Sequence, residues 1–174
     1  TILEQAERKK EGIVEQAYVI GCLSQRYGAE LQEEIPEVDA FFGKFDWKGV
    51  LERMGEHFDE RIRNQRVLTT PDHYAYLKIS EGCNRTCSYC AIPIMTGKHK
   101  SRDFEELLEE CRALVKGGVK EILVVAQDLT YYGIDLYGKN RLAELIGRIA
   151  DIEGLEWIKL HYAYPAGFPL ELLT

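Results

Sequence analysis

The chain has 174 residues, 45% of them hydrophobic, with Lys+Arg 22 against Asp+Glu 29 and a net charge of −7. That is enough apolar material for one or two small folded domains, and an acidic balance without any long basic run carries no footprint for direct nucleic-acid binding. No apolar run approaches the roughly 20 residues that span a bilayer and no signal-peptide pattern opens the chain, so the expected compartment is cytoplasmic, with no membrane partner.

In chain order, residues 1–12 read as the end of a helix closed by Gly12, followed by a strand at Ala17–Gly21. Cys22 comes directly after it. Residues 24–35 have helical spacing at Tyr27, Leu31 and Ile35, with Ser24 as N-cap and Pro36 beyond the end. Asp39–Gly43 reads as a short strand and Trp47–Met54 as a helix, so residues 1–56 are expected to be the remnant of an open α/β domain. Cys22 then sits where such sheets place their ligands and where a helix dipole favours a thiolate; the plain alternative is a buried core cysteine. Residues 57–73, with Arg61, Arg63 and Arg66 and with His57 and His73, lack apolar periodicity and read as a linker.

From residue 74 to 174 the pattern becomes strand–helix alternation. Strands are expected at Tyr74–Ser80, Glu121–Gln127 and Glu156–Tyr162, the second almost continuously apolar, as buried parallel strands are. Asp103 caps a helix with Glu106 three residues on, and its stripe of Phe104, Leu107, Leu108, Cys111, Leu114 and Val115 puts Cys111 in the core; Gly117–Gly118 ends it. Another helix runs over 141–152 to a stop at Gly154. Repeated βα units fit either a doubly wound sheet or a barrel, and in both the catalytic groups gather at the strand carboxyl ends. The segment after the first strand, Gln127 and Asp128, and His161 with Tyr162 all fall there. Gln127 and Asp128 are candidates to contact a ligand at that rim, or else they cap the following turn; His161 reads as a satisfied core histidine. Lys98, His99, Lys100 and Arg102 form a small basic cluster, read chiefly as a solvated face.

Three of the five cysteines, Cys83, Cys87 and Cys90, follow the first of these strands at spacing C-x3-C-x2-C. Three thiolates suffice for a cubane iron–sulfur cluster whose fourth iron stays open, whereas structural zinc wants four ligands, for which His99 is available. A disulfide framework fits less well with an odd count and no secretory signal. Gly82, next to Cys83, permits close backbone approach or serves as a turn residue.

This spacing resembles the signature of the radical S-adenosylmethionine (SAM) enzymes. The resemblance implies a partial α/β barrel, of which the chain holds the first half, a 4Fe–4S cluster on Cys83, Cys87 and Cys90, SAM on the open iron, and Tyr89 beside the adenine. The residues around the cysteines (75–83 and 90–93), together with Ser101-Arg102, Gln127-Asp128 and Tyr132-Gly133, are similar to the methylthiotransferases. There Gly21-Cys22-Leu23-Ser24-Gln25-Arg26-Tyr27 resembles the third cysteine motif of the N-terminal domain, which implies Cys22 as one ligand of a second, auxiliary 4Fe–4S cluster, its other ligands upstream of Thr1. Members acting on transfer RNA read Gln-Asn where this chain has Gln127-Asp128; Gln-Asp, with the run 160–165, is similar to the branch acting on an aspartate of a small-subunit ribosomal protein. The implied reaction is transfer of a methylthio group, with an electron donor to reduce the cluster. The chain is expected to be an internal fragment that does not complete the reaction alone.

Overall fold

The structure, a computed structural model, describes residues 1–44, 46–57 and 67–173. Of the linker expected at 57–73, residues 58–66 lie outside the described residues. The chain divides into two units, Thr1–Arg61 with Ile94–Thr96, and Ile62–Pro93 with Gly97–Thr174.

In the first unit, α1 (Ile2–Lys10) begins with a capping box in which the Thr1 hydroxyl accepts from the Glu4 amide and the Glu4 carboxylate takes the terminal amine. Strand β1 (Tyr18–Ile20) runs parallel to β2 (Ala40–Phe42), with Tyr18 opposite Ala40, and α2 (Cys22–Glu34) connects them. Ala6, Ile35 and Val38 form the small core, and α3 (Trp47–Arg53) is capped by the Asp46 carboxylate accepting from the Gly49 amide. Ser24 is not the N-cap that its residue type suggests. Helix α2 starts earlier, after Gly21, because the buried Ser24 hydroxyl donates to the Phe42 carbonyl (2.6 Å), with the Gly21 carbonyl 3.1 Å away, instead of accepting from a helix amide.

The second unit is built on three parallel strands, β3 (Tyr74–Lys78), β6 (Glu121–Val125) and β7 (Trp157–His161), with β6 in the middle. The register sets Leu77, Val124 and Leu160 side by side, and Tyr76, Leu123 and Lys159 on the opposite face. Against the first face pack α5 (Phe104–Lys116) and α7 (Leu142–Ala150). Their buried Leu107, Leu108, Cys111, Leu114, Leu145 and Ile149 join Ala75, Leu77, Ile122 and Val124 in the core. Burying each such large aliphatic side chain contributes about 1.5–3 kcal/mol, which outweighs the propensity of either helix. Cys111 is fully buried, as its place on the stripe implies. Asp103 caps α5 through the amides of Glu105 and Glu106, but the Glu106 carboxylate turns to Arg102 at 2.8 Å.

The first strand expected here breaks at Lys78. Ser80–Glu81 forms a separate short strand, β4, which pairs antiparallel with β5 (Lys100–Ser101). The cysteine loop and a short helix, α4 (Ile92–Thr96), lie between these two strands, and α6 (Ile134–Tyr137) follows β6. The expected basic face at 98–102 divides accordingly. Lys98 and Lys100 are exposed, whereas His99 is buried and Arg102 is half-buried against Glu106 and Glu110 at 2.8 and 2.7 Å.

Candidate metal centre

The loop from Gly82 to Cys90 leaves the carboxyl end of the first strand pair and has no helix or strand of its own, so its shape depends on what fastens it. Gly82 has φ +78°, and a Cβ there would overlap the Lys98 carbonyl oxygen and lie 2.6 Å from the Lys98 carbonyl carbon and 2.8 Å from the Gly97 oxygen. Close backbone approach is therefore what this glycine supplies. The Cys83 amide donates to the Gly97 carbonyl at 3.2 Å and the His99 amide to Asn84 Oδ1 at 3.0 Å, tying the start of the loop to the strap before β5. The Arg85 amide donates to Cys83 Sγ at 3.4 Å, and the Cys90 amide to the Cys87 carbonyl at 3.1 Å.

All three thiols are free and line one cavity of about 230 Å³, together with Arg85, Ile92, Gln127, Asp128 and residues 162–165. A second hollow of about 350 Å³, lined by Lys78, Val125 and Ala126, shares Ile92, Gln127 and Tyr162 with it. Larger hollows of about 530 Å³ against β1 and about 560 Å³ at the amino ends of β6 and β7 hold no cysteine or histidine. The chemistry-bearing residues thus gather at the carboxyl ends of the parallel strands, as in α/β enzymes generally.

Among the described residues, no three His, Cys, Asp or Glu side chains are gathered closely enough to hold a single metal ion. A tetrahedral zinc, with Zn–S of about 2.3 Å, draws its thiolates to within about 4 Å of one another. A cubane takes one thiolate on each of three irons, and three free thiols on one cavity supply that donor set. His99 offers no fourth ligand to this cavity: it is absent from the lining, its ring packs on Tyr131 at 5.7 Å, and its Nε2 lies 3.2 Å from Ser101 Oγ. Burial lowers the His99 pKa against the opposing pull of Asp135.

Gln127 donates from Nε2 to Glu81 Oε2 at 3.0 Å, while its Oε1 is buried with no protein partner. Glu81 in turn pairs with Lys78. Asp128 is 3% exposed and caps the turn of 3₁₀ helix over 129–131. Burial pushes its carboxyl up, but hydrogen bonds from Thr130 and Arg85 outweigh that and hold it below the usual carboxylate range. Tyr89 is 93% exposed at the loop tip. His161 departs from the expected satisfied core histidine, since it is half-buried and its Nε2 is buried without a partner. Cys22 is the first residue of α2, partly buried at the carboxyl end of β1. Sequence reasoning put Tyr162 at this rim and Tyr164 in the run 160–165, but did not single out Thr130 or Tyr131. Tyr162 has an unusual backbone, with φ +67°.

A parallel α/β sheet with helices on one face and three free thiols at its carboxyl rim is the arrangement of a partial α/β barrel with a cysteine loop after its first strand. Residues 77–173 match the profile of the Radical SAM superfamily, and the chain belongs to that superfamily. Membership brings an iron–sulfur cluster and S-adenosylmethionine as cofactors. The chain is 61% identical over 173 residues to "Ribosomal protein uS12 methylthiotransferase RimO" of Porphyromonas gingivalis, covering 99% of this chain and 40% of that protein. The proteins of the same name from Bacteroides fragilis and Flavobacterium johnsoniae are 63% and 52% identical, over 98% and 99% of this chain and 40% and 39% of theirs. The chain thus spans about 40% of the length of these curated relatives. Its fold is shared by the radical S-adenosylmethionine methyltransferase TsrM of Kitasatospora setae, with TM-score 0.58 and 14% identity, over 88% of this chain and 39% of that one. Among the described residues no helix is long and apolar enough to cross a membrane.

Proposed function

We propose that the chain carries the cluster- and cosubstrate-holding part of a methylthiotransferase that modifies the β-carbon of an aspartate in a small-subunit ribosomal protein. The observation that carries this reading is the convergence of Cys83, Cys87 and Cys90 on one cavity at the rim of the parallel sheet. The names of the relatives, alike across 52–63% identity, support the substrate class. Residues 74–174 are the first half of the radical SAM domain, and residues 1–56 belong to a separate α/β domain in which Cys22 is one ligand of an auxiliary cluster. The cytoplasm, which keeps thiols reduced, suits all four cysteines.

In this reading the three thiolates hold a 4Fe–4S cluster. When bound there, such a cluster, reduced by an external donor, would supply the electron for reductive cleavage of S-adenosylmethionine. This chain's own residues position the ligands and exclude water. The Arg85 amide, directed at Cys83 Sγ, stabilises negative charge on that sulfur. Gln127 offers an unpaired carbonyl oxygen to a donor in the cavity it lines, and Tyr89 supplies an exposed ring for the adenine. Asp128 contributes at the same rim.

Anaerobic reconstitution with iron and sulfide followed by electron paramagnetic resonance tests this. A reduced-cluster signal that changes on adding S-adenosylmethionine is expected, and His99→Ala should retain its iron. Zinc at one per chain with no such signal would refute the reading.

A further inference from the structure

The cysteine loop is anchored at its start by backbone contacts to residues 97–99, but those contacts end at Asn84. Arg85, midway between Cys83 and Cys87, is the next point at which the loop meets the rest of the unit. Its Nε donates to Asp128 Oδ2 at 2.8 Å, and its NH2 donates to Thr130 Oγ1 at 3.1 Å and to the Ala166 carbonyl at 3.3 Å. The guanidinium carbon lies over the rings of Tyr164 and Tyr131, 4.1 and 4.9 Å from their centroids. One side chain thus engages the segments that follow both β6 and β7, which only a planar, forked, stackable cation does.

Asp128 is built to receive it. Its Oδ1 accepts from the Thr130 amide at 3.0 Å and from the Thr130 hydroxyl at 2.6 Å, leaving Oδ2 for Arg85. Thr130 Oγ1 donates to Asp128 and accepts from Arg85, so the three side chains close a ring. Arg85 needs a carboxylate that stays ionised, and the hydrogen bonds to Asp128 keep it so.

Resting on the cluster reading above, we propose that Arg85 and Asp128 are a positioning pair that fixes the spacing of Cys83 and Cys87 by fastening the middle of the loop to the ends of β6 and β7. Asp128 then serves the cluster through Arg85 rather than by touching a ligand.

The test uses Arg85→Gln, the isosteric Asp128→Asn and the double variant, with Arg85→Lys to separate charge from shape. In the cluster-free chain, amide hydrogen exchange over residues 82–90 should rise in both single variants, rise no further in the double, and stay raised in Arg85→Lys. After reconstitution, each variant should give up its iron at about 10- to 100-fold lower competing chelator, the range by which outer partners of metal ligands change affinity. Exchange over the loop unchanged in both single variants, additive effects in the double, or full rescue by lysine would each overturn the proposal. A wild-type chain that takes up no iron sinks the cluster reading and, with it, the pair's service to a cluster. The exchange result then decides separately whether the pair fastens the loop.

Discussion

Replacing Gly82 with alanine introduces two separable costs at the entrance to the cysteine loop. The first is conformational: an L-residue at φ +78° costs about 1–2 kcal/mol. The second is steric, because the new Cβ would meet carbonyl atoms of Gly97 and Lys98, and backbone does not swing aside as a flexible side chain does. Forcing an extra methyl into such a contact costs about 1–3 kcal/mol. The sum, about 2–5 kcal/mol, is a large share of the 5–15 kcal/mol that typically holds a domain together. Gly138→Ala is the control. Gly138 is left-handed, with φ +69° and ψ 4°, and has nothing within 4 Å of an added Cβ, so it bears the conformational cost alone. Urea unfolding followed by circular dichroism should therefore rank wild type above Gly138→Ala and Gly138→Ala above Gly82→Ala, with iron uptake impaired most in Gly82→Ala. Equal midpoints for the two variants, together with undiminished iron uptake by Gly82→Ala, would show that the close approach constrains nothing.

Stability should also depend on pH through His99. Its folded pKa is depressed, so below the unfolded value of about 6.5 the unfolded chain binds a proton that the fold resists, and stability falls by up to about 1.4 kcal/mol per pH unit. Asp128 and Asp135, also held low when folded, contribute stability present above their unfolded value of about 3.9 and lost as pH falls toward their folded values. Urea midpoints of the cluster-free chain should decline from pH 7 to 5.5 in wild type and much less in His99→Gln; parallel curves would contradict the assignment. Tyr162→Gly should leave the midpoint unchanged or raise it slightly. The ring is 71% exposed, relief of the left-handed backbone is worth about 1–2 kcal/mol, and glycine gives back about 0.5–1 kcal/mol in chain entropy. A clear drop in midpoint would mean that the ring packs where the structure leaves it exposed.

The thiol spacing, the amphipathic stripe of α5, the apolar run of β6 and the stop glycines were all legible in the sequence. Each is a short-range property of consecutive residues, governed by covalent geometry and periodicity. That is why the βα alternation and the three-thiolate loop were readable before any coordinates. The pairing of β4 with β5, the burial of His99 within a run of cations, and the early start of α2 were not. In each case a partner distant in sequence outcompeted the local preference: β5 for β4, Tyr131 for His99, and the Phe42 carbonyl for Ser24. Arg85 shows the limit most clearly. Its neighbours mark it only as a residue between two cysteines, while its carboxylate partner lies 43 residues away. Residue order alone determined that three thiols would stand together after a strand. Which side chains hold them there was decided by the tertiary structure, because the parallel register of β3, β6 and β7 brings their far-separated carboxyl ends to one rim.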